Sequence, residues 1–213
     1  MELTVFGATG GTGRHLMSEA LEASYEVRAF ARSRAKVERA WLDDDRVTVV
    51  EGDVLDPDAV ERAIEGADAV LSALGHAEGS PDDVLTTGGE HVVTAMEAHG
   101  VLRLVLLVGA GVEHPEDPFS LGGRAMSAVL GLVAGDLLTD SKGYVKRAVE
   151  SDLEWVAVRP PRLTDGPRTG EYRTGYLKLG PWSSVSRPDL AAFMIEQATE
   201  SDEYVGEAPM ISY

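Results

Sequence analysis

Leu3-Thr4-Val5-Phe6-Gly7-Ala8-Thr9-Gly10-Gly11-Thr12-Gly13 is the stretch that decides the fold. Four apolar or β-branched residues end abruptly in glycine, which reads as a short buried strand. Over residues 13–23 the apolar Leu16, Ala20 and Leu21 recur at helical spacing. Glycines 7, 10 and 13 therefore sit between a strand and a helix. The spacing G-x-x-G-x-x-G is weak in isolation; this position makes it specific. Glycine allows a tight turn and close approach of the backbone to a phosphate. The helix start behind it offers unpaired N–H groups and partial positive charge. Thr9 and Thr12 add hydroxyl donors. The expectation is a diphosphate-bearing ligand held by Gly7, Thr9, Gly10, Gly11, Thr12 and Gly13. A tight turn with no ligand is the plain alternative.

Apolar runs alternate with helical patterns over the rest of the chain. Residues 25–30, 47–50, 69–74, 102–108 and 153–158 read as strands, and 208–212 as a last edge strand. Between them, 33–41 reads as a helix capped by Ser33, and 56–65 as a helix with Pro57 in its first turn. Residues 82–99 form a long helix stopped by Gly100, and 188–198 a late one. Strands separated by helices pair in parallel through right-handed crossovers. Near-continuous apolar strands fit a sheet covered on both faces. The predicted fold is α/β, a doubly wound parallel sheet of the Rossmann type. A chain of 213 residues suits one NAD(P)-binding domain over 1–213. Substrate-side loops are expected at about 109–140 and 160–187. Both follow strands at their carboxyl ends, where ligands bind in open α/β sheets.

The end of the second strand bears on the cofactor. A site for NAD usually places an acid about 20 residues past the glycines, for the ribose 2′-hydroxyl. Here the segment is Arg28-Ala29-Phe30-Ala31-Arg32-Ser33-Arg34-Ala35-Lys36, and no acid lies between Glu26 and Glu38. Four bases in nine residues stand out in a chain with 36 acids and 19 lysines and arginines. A guanidinium here pairs with the 2′-phosphate of NADP(H). Arg32 is the first choice, then Arg34, with Ser33 as a donor. The alternative is that these arginines only balance nearby acids. Asp53, in Gly52-Asp53-Val54 after the third strand, either accepts from an adenine amino group or closes a helix-entry turn.

At these residues the chain resembles a known family. Gly7-Ala8-Thr9-Gly10 with Thr12-Gly13, Tyr25-Glu26-Val27, Arg32, Gly52-Asp53-Val54-Leu55 and Ala98-His99-Gly100-Val101 are similar to the atypical short-chain dehydrogenase/reductases. Leu153-Glu154-Trp155-Val156-Ala157-Val158-Arg159-Pro160-Pro161 and Ser186-Arg187-Pro188-Asp189-Leu190 resemble the NADPH-dependent flavin reductases, also called biliverdin-IXβ reductases. Thr164-Asp165-Gly166-Pro167, with Thr169-Gly170, is similar to bacterial NAD(P)-binding relatives of that group. The resemblance implies that the glycine loop holds the pyrophosphate and that Asp53 and Val54 line the adenine. It places Leu74 and Gly75 beside the nicotinamide ribose, and Pro160, Pro161 and Arg162 at the nicotinamide.

The pattern breaks at the chemistry. Many short-chain dehydrogenases use a serine after the fifth strand and Tyr-x-x-x-Lys on the next helix. Here that strand ends Val108-Gly109-Ala110-Gly111, with no serine. Lys146 stands where the lysine belongs, but Lys142 stands four residues earlier in place of tyrosine. Tyr144 is two residues away, on another side of a helix. Lys146 either holds the nicotinamide ribose or is a solvated helix lysine. His114, His76 and Arg162 are the remaining candidates to contact substrate or give a proton, and the plainer reading of each is an ordinary loop residue. The apolar stretch 126–138 is a cover for a flat aromatic substrate, a partner surface or core. Two functions follow: an NADPH-dependent reductase of flat acceptors such as flavins or quinones, or a non-catalytic NADP(H) sensor or scaffold.

Composition narrows the class. There is no cysteine, which excludes disulfides, thiolate nucleophiles and Cys-ligated zinc. The five histidines show no metal spacing, so no metal is expected. No apolar run is long enough to span a bilayer, and no charged start precedes an apolar run, so a cytoplasmic location is expected. A formal charge of −17 disfavours nucleic acid and anionic membranes. The expected partner is a small molecule, with the chain a monomer or small homo-oligomer. Lysine occurs only at 36, 142, 146 and 178, and acids are spread along the chain, which suits a high-salt, halophilic cytoplasm. Helical circular dichroism is therefore expected to fall on dialysis into low salt. A spectrum unchanged from dilute buffer to molar KCl contradicts this.

Overall fold

The first strand, β1 (Glu2–Phe6), is covered on both faces: Leu3, Val5 and Phe6 have no exposed surface. Even Thr4 is fully buried, and its hydroxyl donates to the Ala63 carbonyl at 2.7 Å. A computed structural model describes residues 1–77, 79–118 and 135–213. Around β1 are α1 (Gly11–Glu22), β2 (Glu26–Ala31), α2 (Arg39–Leu42), β3 (Val47–Glu51), α3 (Pro57–Ile64) and β4 (Ala69–Ser72). Then come α4 (Val84–His99), β5 (Arg103–Leu107), α5 (Gly135–Val149) and β6 (Glu154–Val158). The later elements are β7 (Arg162–Thr164), β8 (Arg173–Gly175), β9 (Ser184–Ser186), α6 (Arg187–Thr199) and β10 (Met210–Ser212).

Six strands pair in parallel in the order β3-β2-β1-β4-β5-β6. Val5 sits opposite Ala29 on one side and Leu71 on the other. Successive strand side chains point to opposite faces, and the two halves of the core follow from that alternation. Leu3, Val5, Leu71, Val105 and Val156 pack with Leu16, Met17 and Ala20 of α1 and Leu190 and Met194 of α6. Phe6, Val70, Leu104 and Leu106 pack with Val60 and Ile64 of α3, Val92 and Met96 of α4, and Ala148 of α5. This is a doubly wound Rossmann-type sheet. The strand order reverses between β1 and β4, and that gap opens where the glycine turn leaves β1.

One expectation is corrected. Residues 33–41 do not form one helix. A 3-10 turn (Arg34–Lys36) is followed by Val37 and Glu38 in extended conformation (ψ 139° and 137°), and only then by α2. The break lets both Val37 and Trp41 reach the core, and Ser33 makes no side-chain cap. The expected edge strand at 208–212 is met by β10, whose segment runs beside the edge of the main sheet through single parallel bridges of Val156 with Glu207 and Arg159 with Met210. β10 pairs antiparallel with β8, while β7 and β9 form a second small pair. Strands of three residues carry no periodicity to read. The apolar stretch 126–138 lies outside the described residues up to 134.

Asp189 fastens the loop 165–170 to the start of α6. It has no exposed surface. Its carboxylate accepts the Thr169 N–H (2.9 Å), the Thr169 hydroxyl (2.8 Å), the Gly170 N–H (2.8 Å) and the Tyr213 phenol (2.7 Å). Burial alone would raise this carboxyl, but the donors, led by Tyr213 and Gly170, outweigh it and hold it down at about 2. A depressed folded value means that the ionised group stabilises the fold above its ordinary value of 3.8, and that this stability is lost as pH falls from there through about 2. The contribution is about 2 kcal/mol. Asp189→Ala is expected to lower unfolding free energy at neutral pH by about 3 kcal/mol. It should also flatten the acid limb of stability between pH 4 and 2. An unchanged acid limb in urea melts contradicts this assignment.

Candidate functional site

Gly7 ends β1 with φ +76°, in the left-handed region that side-chain-bearing residues avoid. A Cβ there would stand 2.4 Å from the Ala73 carbonyl oxygen. The turned Gly7 carbonyl accepts the Gly10 N–H at 2.9 Å. Gly13 packs against the same carbonyl so closely that a Cβ on it would lie 2.0 Å from Gly7 O. The start of α1 is thereby pressed onto the end of β1. The first helical bond runs from Arg14 N–H to Gly10 O, at 3.0 Å. The N–H groups of Gly11, Thr12 and Gly13 precede it and have no helical acceptor. No side chain caps this end, and no acid lies in its first turn.

A cavity of about 450 Å³ opens beyond these donors, lined by Gly7, Thr9, Gly10, Gly11 and Thr12. Arg32, Asp53, Val54, Leu74 and Gly75 also line it, with Leu107 and Leu163 as apolar wall. Gly13 shapes the turn from behind. Arg32 is exposed and makes no ion pair among the described residues. The neighbouring bases behave differently. Arg28 points to the far end of the sheet, bonding Glu2 (2.5 Å) and the carbonyls of Ala63 and Glu65. The Arg34 backbone N–H donates to Glu51 at 2.6 Å, and neither Ser33 nor Arg34 lines the cavity. Asp53 does two things at once. Its Oδ1 accepts the Leu55 N–H at 3.0 Å, closing the entry to α3, while the residue faces the cavity. Val54 is locked from behind by Gly88, where a Cβ would come within 2.7 Å of it.

The expected chemical residues are placed elsewhere. Lys146 is 74% exposed and pairs with Glu150 at 3.7 Å on the outside of α5. His114 stacks on Tyr176 with ring centroids 5.0 Å apart. Arg162 is exposed on β7. Pro160 accepts the Ala110 N–H at 3.1 Å; among the described residues neither it nor Pro161, Lys146, His114 or Arg162 lines the cavity. Tyr144 is buried against Gly89. Its phenol and the Ser72 hydroxyl are both without a hydrogen bond of ordinary geometry. Burial pushes the phenol up, with Ser72 close enough to oppose the rise in part.

Arg187 and His76 complete the wall. His76 is a candidate from the sequence, whereas Arg187 and the Asp140 carboxylate behind His76 are not placed by it. Arg187, at the start of α6, lies over the glycine turn, its Nε 2.9 Å from where a Cβ on Gly11 would stand. It pairs with Asp165 at 2.5 Å. His76, just past Gly75, lines the cavity and meets buried Asp140 of α5 at 2.7 Å. Burial would raise the Asp140 carboxyl, but hydrogen bonds from Thr86, Leu85 and His76 outweigh it and hold it below the usual carboxylate range. Sequence spacing carries no signal for a pair 64 residues apart. Among the described residues no group of three or more His, Asp or Glu is arranged to hold a metal.

A parallel sheet with a backbone-lined anion cradle at its switch point is the site of a dinucleotide-binding protein. The chain belongs to the NAD(P)H-binding family, which matches residues 7–201. This is an oxidoreductase family with reductases among the relatives. The chain is 30% identical over 203 residues to a 2-alkyl-3-oxoalkanoate reductase of Stenotrophomonas maltophilia, covering 81% of this chain and 58% of that protein. Its fold matches an anaerobillin reductase of Escherichia coli O157:H7, with TM-score 0.81, 22% identity and coverage of 99% and 96% of the two chains. It also matches a short-chain dehydrogenase/reductase of Veillonella parvula solved in complex with NADP, with TM-score 0.80, 18% identity and coverage of 100% and 94%.

The two closely spaced glycines 11 and 13 should separate by substitution. Gly13→Ala drives a Cβ into fixed backbone, and is expected to destabilise the protein by about 3 kcal/mol or more. Gly11→Ala meets only the flexible Arg187 side chain, and should remain within about 1 kcal/mol of wild type. Equal denaturation midpoints for the two variants contradict this geometry.

Proposed function

We propose that the protein is an NADPH-dependent oxidoreductase that reduces a flat acceptor such as a flavin or a quinone. The observation that carries the cofactor choice is Arg32, an unpaired guanidinium on the cavity wall at the end of β2. A planar fork of donors there suits the 2′-phosphate, and no carboxylate follows β2 to hold a 2′-hydroxyl. The unpaired N–H groups of Gly11, Thr12 and Gly13 bind the diphosphate, with Thr9 and Thr12 as hydroxyl donors. Asp53 and Val54 hold the adenine edge, and Leu74 and Gly75 flank the nicotinamide ribose. A reduced nicotinamide supplies a hydride when bound. Leu107 and Leu163 give the apolar wall against which a flat acceptor packs. The name of the Stenotrophomonas relative, a reductase, and that of the E. coli neighbour support reduction as the reaction class. A second reading, a non-catalytic NADP(H) sensor, draws on the missing serine and on the burial of Tyr144.

The test is NADPH oxidation in high salt with FMN, FAD, quinones and a biliverdin offered in turn. Turnover with one of them is expected. Tight NADPH binding with no turnover on any acceptor contradicts the enzyme and favours the sensor. Arg32→Ala is expected to reduce the NADPH/NADH affinity ratio about 10- to 100-fold. An unchanged ratio removes Arg32 from the cofactor site.

A further inference from the structure

His76 is the one histidine on the cavity wall among the described residues. Its surroundings fix the ring. Asp140 is 4% exposed. Its Oδ2 accepts the Leu85 N–H at 2.8 Å and its Oδ1 the Thr86 N–H at 2.7 Å. The His76 Nε2 reaches Oδ2 at 2.7 Å. An ionised carboxylate only accepts hydrogen bonds, so Nε2 carries the hydrogen of this contact. The other ring nitrogen, Nδ1, makes no hydrogen bond among the described residues. The imidazole is thus held at one nitrogen by a rigid buried anion and left free at the other. A carboxylate-oriented histidine is a common proton carrier, because the carboxylate selects the tautomer and stabilises the imidazolium.

Asp140 is itself over-determined. The cap residue of α4, Asp83, makes no side-chain cap, and Asp140 supplies that function from α5. The Thr86 hydroxyl also donates to the Asp140 carbonyl at 3.1 Å. The two helices and the His76 ring therefore share one anchor. The other proton carriers considered for this protein lack such a setting. Lys146 is on the outer face of α5, and Tyr144 is sealed in the core with 2% exposure.

We propose that His76 is the proton donor of the reductase, through Nδ1, and that Asp140 is its positioning residue. This rests on the reductase reading and adds to it the class of acceptor: one whose oxygen becomes a hydroxyl, as in a quinone or a ketone. A ketone gains the hydride at its carbonyl carbon and a quinone at one of its two carbonyl oxygens, which leaves an alkoxide or a phenolate oxygen to be protonated. The nicotinamide that gave the hydride is oxidised. The imidazolium Nδ1–H bond breaks as the O–H bond forms on the acceptor. His76 is left neutral, with its Nε2–H still on Asp140, and regains a proton from water. The electron pair and the proton are then accounted for without a further reactant.

The experiment has two readouts on the full chain. In long-range ¹H–¹⁵N spectra of histidine-labelled protein, neutral His76 is expected as the Nε2–H tautomer, with its Nδ1 signal moving when NADP⁺ is added. Asp140→Asn should relax the tautomer preference. An Nδ1–H tautomer in the wild type, or signals indifferent to NADP⁺, overturns the proposal. In steady state with an acceptor that the wild type reduces, His76→Gln should lower kcat about 100-fold or more. Its NADPH Kd should stay within about threefold, which also shows that the variant is folded. Undiminished kcat in His76→Gln overturns the role of His76 and leaves the reductase standing. A wild type that reduces no acceptor overturns both.

Discussion

Gly13 rests on the carbonyl of Gly7, backbone against backbone, and the carboxyl edge of the sheet is built outward from that contact. A Cβ at Gly13 would be 2.0 Å from the carbonyl oxygen, far inside any van der Waals distance. The contact fixes how α1 leaves β1. It aims the first-turn N–H groups at the gap between β1 and β4, where the strand order reverses. The same Gly7 leaves no room for a side chain beside Ala73, so the segment after β4 runs close to the turn. Leu74, Gly75 and His76 reach the cavity for that reason. An anion at the helix start completes an arrangement that the protein leaves without an acidic cap.

Three carboxylates then tie loops to this edge. Asp189 gathers the 165–170 loop onto α6. Asp117 receives both terminal nitrogens of fully buried Arg159, at 2.7 and 2.8 Å, and the Arg159 Nε donates to the Ala208 carbonyl. Asp140 ties the segment after β4 to α4 and α5. Removing Asp117 strands the Arg159 guanidinium in the core, which destabilises by about 3–5 kcal/mol. These ties are also geometric. Each holds a loop that follows a strand at its carboxyl end, and ligands bind there in such sheets.

Much of the fold was legible because burial writes itself into local sequence. Leu3 to Phe6 could only be a covered strand, and Asp56-Pro57 could only open a helix; Asp56 does cap α3 through the N–H groups of Asp58 and Ala59. The helix expected over 33–41 failed because the helical spacing of Val37 and Trp41 is satisfied as well by a turn and a short helix. Burying both residues decided between them. At the site, the lining by the glycine turn and by Arg32 could be read from contiguous sequence, whereas Ser33 and Arg34 of the same segment do not line the cavity. Arg187 and the His76–Asp140 pair could not be read, because each depends on elements brought together from far along the chain. Lys146 matched a spacing, but a spacing on a helix does not say which way the helix faces, and α5 turns it to solvent.

The bare N–H groups of Gly11, Thr12 and Gly13 and the guanidinium of Arg32 are proposed to form one cofactor site. A crystal structure of the protein with NADP⁺ tests it most directly. The diphosphate is expected on those three N–H groups and the 2′-phosphate within hydrogen-bonding distance of Arg32. A diphosphate bound elsewhere, or a 2′-phosphate turned away from Arg32 into solvent, would contradict it.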